Sequence, residues 1–255
     1  MVMPREIRIY GLTTIPEIGP GDDLARIICE AAEREGVGIK DGDVVVVVSK
    51  AVSKAEGRYV ELSKVEVSEE ARRLAEATGK DPRLVEVILR ESRRVVKVAR
   101  NHLIVETRHG FVCANAGVDR SNVKGTGDVV LLLPVDPDAS ARRIRERIER
   151  LTGKRVAVVI TDTHGRPLRE GQIDVAIGLS GFPAFKDYRG TADIKGYVLR
   201  VKRIAIADEV ASAAELVKGS GGEGIPVAII RGLNYEWSND TARSLAMPEE
   251  KWLFK

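Results

Sequence analysis

The chain has 255 residues, 44% hydrophobic and 31% charged, which supplies enough apolar material for a packed core and excludes a disordered polyelectrolyte. With 41 basic against 38 acidic residues the net charge is only +3, which excludes a protein whose main task is to coat nucleic acid. Two cysteines, Cys29 and Cys113, with no C-x-x-C pair exclude a disulfide framework and a zinc ribbon.

In chain order, residues 21–36 read as a capped amphipathic helix that opens after Asp22 and Asp23 and stops at Gly36. Residues 44–48, five consecutive valines, predict a short strand buried on both faces. Helices are expected at 68–78 and 82–92, and strands at 94–99, 103–107 and 110–114, the last two joined by a tight turn at Arg108-His109-Gly110. A strand at 129–134, a charged helix at 139–151 stopped by Gly153, and a buried strand at 155–161 follow. Strands are then predicted at 171–179 and 197–206, a helix at 208–218 with Asp208 as its N-cap, and a strand at 226–231; residues 233–255 carry no clear pattern. The order predicts an α+β fold, with mixed sheets, hairpins and flanking helices, and speaks against a purely parallel doubly wound sheet. No repeat or linker divides the chain, so residues 1–255 are expected to act as one unit, in one body or two lobes. The longest aliphatic run is far below the ~20 residues that span a bilayer, and residues 1–6 lack a signal peptide's apolar stretch; a cytoplasmic protein without membrane or nucleic-acid partners is expected. A single glutamine, Gln172, and many charges fit a heat-loving source, although a base-composition bias produces the same pattern.

Four polar segments carry candidate chemistry. G-S-G-G-E-G at 219–224 satisfies G-x-G-x-x-G but follows a helix and opens a strand, so the Rossmann reading fails. Its bare backbone N–H groups suit a phosphate, and a plain helix C-cap is the competing reading. S-K-A-V-S-K-A-E-G-R at 49–58 follows the valine strand and places Lys50 and Lys54 where a triphosphate's charge could be met; a solvated turn is the alternative, and no Walker A motif occurs. C-A-N-A-G-V-D-R-S-N-V at 113–123 offers the Asp119 carboxylate and the Asn122 amide, or simply a turn with Asx capping. T-D-T-H-G-R-P-L-R-E-G at 161–171 offers Asp162 and Thr163 for a magnesium-type ion and Arg166 and Arg169 for a substrate carboxylate or phosphodiester; His164 reads as polar filler in a turn. With three histidines and no H-E-x-x-H spacing, any metal must be a hard ion on oxygen ligands. Three of the four segments directly follow aliphatic strands, and together they predict one cationic site.

These segments, together with D-x-A-I-G after the fourth and A-D-E-x-A-x-A-A-x-L before the glycine loop, resemble the coenzyme F420-0:L-glutamate ligase family over residues 11–232. The resemblance implies a GTP-dependent ligase that adds γ-linked L-glutamate to the lactyl carboxylate of F420-0 through an acyl phosphate, releasing GDP and phosphate. It also implies a family-specific fold, an intertwined homodimer, Mg²⁺ or Mn²⁺, and K⁺ as monovalent activator. By position it assigns Asp119, Asp162 and Thr163 to the metal. Gly11, Leu12, Ser49, Lys50, Lys54, Asn122 and the loop Gly219, Ser220, Gly221, Gly222 and Glu223 are assigned to GTP. Lys50, Lys54, Asp119 and Asp162 carry the catalysis. Thr13 and Ser220 depart from the family pattern; Ser220 replaces an expected acidic or amide metal ligand, for which Glu223 is the nearest substitute. A metal-dependent phosphohydrolase and a non-catalytic GTP-binding module are the competing functions.

Overall fold

A computed structural model describes residues 5–120 and 128–253. From the amino end, its elements are β1 (Arg8–Gly11), α1 (Leu24–Arg34), β2 (Val44–Val48), α2 (Ser49–Ala55), β3 (Tyr59–Glu61), α3 (Glu69–Thr78) and α4 (Pro82–Arg90). There follow β4 (Ser92–Ala99), β5 (His102–Thr107), β6 (Val112–Ala114), β7 (Val129–Leu131), α5 (Pro137–Thr152), β8 (Ala157–Arg166) and β9 (Arg169–Ser180). The last are β10 (Lys186–Asp187), β11 (Arg203–Ile204), α6 (Ile206–Lys218) and β12 (Val227–Arg231).

Local chemistry sets many of the boundaries. Asp23, Ser68, Asp81 and Asp136 each turn a side-chain oxygen onto a backbone N–H of the first turn of α1, α3, α4 and α5, meeting donors that have no partner inside the helix.

The main sheet has the order β1-β12-β2-β8-β9, antiparallel throughout except for the parallel pair β2·β8. The valine run explains its position at the centre. Val45 and Val47 face a core built with α1 and α5, whereas Val44 and Val46 face a second core built with α6. A strand covered on both faces has no polar side, so its sequence does not alternate. A smaller body holds the antiparallel sheet β4-β5-β6 against α3 and α4, and the β3·β7 ribbon borders it. The mixed sheets and flanking helices are those of an α+β protein.

Three expectations are corrected. Residues 197–206 do not form a continuous strand: Tyr197, Val198 and Val201 are exposed, Val198 makes an isolated bridge to Ala192, and Arg203–Ile204 alone forms a strand, paired with Lys186–Asp187. The apolar residues are present there, but among the described residues no neighbouring strand covers them. The helix expected at 208–218 begins at Ile206, because Asp208 is no cap; its carboxylate accepts the Ala176 N–H of β9 instead. Residues 161–166 are not a turn. β8 continues through them as a hairpin with β9, and the register slips between Ile160 and Thr161. The patternless tail also has a place: Leu233, Tyr235, Ala242 and Leu245 pack under the sheet on the α6 side.

Candidate functional site

The parallel strands β2 and β8 run in register, Val48 opposite Thr161, so their carboxyl ends deliver the residues that follow both strands to one place. Ser49 opens α2 there, and its hydroxyl donates to Asp162 Oδ1 at 2.7 Å. The S-K-A-V-S-K segment is thus a helix rather than a turn. Its four-residue spacing sets Lys50 and Lys54 on one face. Lys50 Nζ lies 2.6 Å from Asp119 Oδ2, and Lys54 Nζ donates to Glu17 Oε1 at 2.7 Å. Asp119 is itself held by main-chain pairing with Leu131, at 3.0 and 2.8 Å.

These residues border a cavity of about 810 Å³, within the usual size of a small-molecule site. Its lining includes Ser49, Lys50 and Lys54 from one segment, Asp119 from the second, Asp162 and Thr163 from the third and the whole loop 219–224 from the fourth. Gly11 and Leu12 are not part of it: Leu12 is buried in the core, and Gly11 packs against Val217 and Ile225. Arg166 and Arg169 sit at the tip of the β8–β9 hairpin, where the Arg166 guanidinium donates to the Glu170 carbonyl oxygen. Asn122 lies outside the described residues.

The electrostatics are uneven around the wall. Burial pushes Asp162 up to about 7, with Asp174 and Asp119 adding like-charge repulsion and the Ser49 hydrogen bond and Lys50 opposing it. Burial also raises the Cys113 thiol to about 12 and lowers His164. The Glu223 carboxylate goes the other way, held below its usual range by its own N–H and that of Gly221. Glu223 folds its carboxylate back over Gly219, whose φ of +67° strains any residue that carries a Cβ.

The wall before Asp119 is conformationally costly. Asn115, Ala116 and Gly117 are all left-handed, with φ of 55°, 54° and 69°. Such a run in non-glycine residues persists only where its surroundings impose it. Among the described residues, Asn115 Oδ1 and His164 Nδ1 are buried without a hydrogen-bond partner, and both residues line the cavity.

Sequence reasoning missed Asp174 and Lys218. Lys218 is a fully buried cation that donates to Thr161 Oγ1 and Asp174 Oδ2, both at 2.7 Å. Asp174 lies opposite Thr163 and accepts its hydroxyl at 3.0 Å. The signal available was the period-two spacing of Thr161, Thr163 and, across the hairpin, Asp174, visible only once 161–166 is read as strand.

Among the described residues no three His, Cys, Asp or Glu side chains converge on one point, so no ready-made cage exists. The chemistry nevertheless fits a hard cation of the magnesium type, which takes one or two carboxylates and completes its shell with water and substrate phosphates. Asp162 is a carboxylate whose ionised form is disfavoured by burial and by two neighbouring acids, a deficit that a cation would reverse.

The sequence matches the family model described as F420-0:Gamma-glutamyl ligase over residues 13–232. It is 44% identical over 253 residues to the coenzyme F420:L-glutamate ligase of Methanothermobacter thermautotrophicus, covering 98% of this chain and 99% of that one. It is 49% identical over 254 residues to the enzyme of the same name from Methanocaldococcus jannaschii, covering 98% of each chain. Against the Methanopyrus kandleri enzyme it is 50% identical over 230 residues, covering 90% of this chain and 88% of that one.

Proposed function

This chain belongs to the F420-0:gamma-glutamyl ligase family, and on that premise we propose that it joins the amine of L-glutamate to the lactyl carboxylate of coenzyme F420-0 at the expense of GTP, any γ-linkage lying between successive glutamates. The observation that carries the reading is the meeting of Lys50, Lys54, Asp119, Asp162 and the loop 219–224 around one cavity. Cations, hard carboxylate donors and bare backbone N–H groups are what a nucleoside triphosphate requires.

An amide forms from a carboxylate only after the acyl group is activated. In the proposed sequence a carboxylate oxygen of F420-0 attacks the γ-phosphorus of GTP, an O–P bond forms, and the bond to the β-bridging oxygen breaks to release GDP. The amine of glutamate then attacks the acyl carbon, phosphate leaves with the C–O bonding pair, and the amine loses its proton. Lys50 and Lys54 stabilise charge moving onto the departing diphosphate, and the loop amides hold the phosphates in line. Asp119 and Asp162 would hold Mg²⁺ or Mn²⁺, which supplies charge neutralisation between the phosphates and an incoming carboxylate. K⁺ is assigned to no residue. No nucleophilic side chain is needed.

Mass spectrometry after incubation with F420-0, GTP, L-glutamate and Mn²⁺ tests the reading; glutamyl adducts dependent on all four components are expected. Phosphate release from GTP without either acceptor would instead indicate a phosphohydrolase, and thermal stabilisation by GTP with no GDP formed would indicate a binding module. Asp162→Asn is expected to abolish glutamylation with an unchanged melting temperature, and full activity would remove Asp162 from the site.

We further propose that the chain works as a homodimer. The segment between β10 and β11 exposes Ile194, Tyr197, Val198 and Val201, apolar surface that a second copy would cover. Light scattering is expected to give twice the 27.9 kDa chain mass, and a monomer at micromolar concentration would overturn it. Among the described residues no helix is long and apolar enough to cross a membrane.

A further inference from the structure

The buried acid that sequence reasoning missed is held in an unusual way. Ser212, Glu215 and Lys218 are three residues apart along one side of α6, and all three bind Asp174. Ser212 Oγ donates to the Asp174 carbonyl at 2.9 Å, Glu215 Oε2 accepts the Asp174 N–H at 2.9 Å, and Lys218 Nζ donates to Asp174 Oδ2 at 2.7 Å. The same carboxylate accepts Thr161 Oγ1 at 3.1 Å and Thr163 Oγ1 at 3.0 Å. Glu215 then turns its other oxygen to Ser220 Oγ, at 2.7 Å, inside the glycine-rich loop. Main chain and side chain of one residue on β9 are therefore tied to the helix that launches the loop, and its carboxylate is tied to the strand that carries Asp162 and Thr163.

A buried ion pair is weak evidence for a contribution to stability, because well-packed apolar residues of similar volume often serve as well. What apolar residues cannot supply is a fixed direction. The loop has four glycines in six residues and little stiffness of its own, so its position relative to β8 has to be imposed at its root.

We propose that Asp174 is a positioning residue: through Ser212, Glu215 and Lys218 it sets where the loop 219–224 stands relative to Asp162 and Thr163, and thereby the affinity of the cavity for a triphosphate. The affinity clause rests on reading the loop as nucleotide-binding; the placement clause does not.

Three variants cut the ties one at a time: Ser212→Ala, Glu215→Gln and Lys218→Met. Each is examined by amide hydrogen exchange of residues 219–224 in the ligand-free protein and by KM for GTP and for L-glutamate. Faster loop exchange is expected in all three. KM for GTP is expected to rise about tenfold in Lys218→Met, which removes the ties of α6 to both Thr161 and Asp174, with KM for L-glutamate unchanged. Ser212→Thr, which keeps the hydroxyl, is expected to restore wild-type exchange. A merely structural role would lower the yield of folded protein and leave both KM values alone, and that result overturns the proposal, as does unaltered loop exchange in every variant. If Lys218→Met does not fold, the other two variants carry the same readouts. If the wild-type protein makes no glutamyl product, the function reading fails while the exchange measurement still decides the placement.

Discussion

Two lysine–aspartate pairs border the cavity at nearly the same distance, Lys50–Asp119 at 2.6 Å and Lys218–Asp174 at 2.7 Å. Their side chains differ in solvation: 27% and 38% exposed in the first pair, 0% and 6% in the second. A pair that water still reaches contributes little to stability, since both partners are partly hydrated either way. Its members can be handed to a phosphate or a cation at small cost. A pair cut off from water cannot be separated cheaply, because whichever partner remains is a buried charge without compensation. Distance alone would equate the two; exposure leaves one pair open to an incoming group and closes the other inside the scaffold.

That contrast can be broken at several points. Lys218→Met is expected to destabilise the fold by about 3–5 kcal/mol, the usual cost of removing one partner of a buried pair, measured by urea denaturation. Lys50→Met is expected to change stability by less than about 1 kcal/mol while lowering glutamylation at least about 100-fold. Equal stability losses in the two variants would erase the distinction between the pairs.

A smaller effect tests the wall that carries Asp119. Gly117 has φ of 69°, and an added Cβ would stand 2.7 Å from Leu133 Cγ. Gly117→Ala is expected to cost about 1–3 kcal/mol through strain and overpacking, read from the melting temperature. The smallest effect concerns closure of the buried side. Cys113, pushed up to about 12, is almost wholly thiol at pH 8, so alkylation followed by mass spectrometry is expected to be far slower than for an ordinary cysteine. Labelling at an ordinary rate would mean that the wall is open.

The large elements were legible in the sequence because their signals are local. Five valines in a row admit little but a strand buried on both faces, and Asp23, Ser68 and Gly153 mark helix ends through backbone groups beside them. Residues 197–206 misled because β-branched spacing reports an apolar face and says nothing about whether a partner strand exists. The cavity's outer residues were found through motifs of types that bind phosphate and metal. Asp174 and Lys218 were not, since a lysine at the end of a helix and an acid in a strand look like solvated surface until the fold brings them together. Gly11 and Leu12 show the opposite case, residues of the resembling pattern that the structure places outside the cavity lining.

The Ser49–Asp162 hydrogen bond joins residues 113 positions apart, across the one parallel strand pair of the main sheet. Nothing short of that distant pairing brings the two segments together, and loop closure over such a span is slow. On dilution from denaturant, helices should regain their circular dichroism well before any catalytic competence returns. A nascent or partly melted chain then lacks the assembled cavity, and its enzymology begins only with the completed sheet.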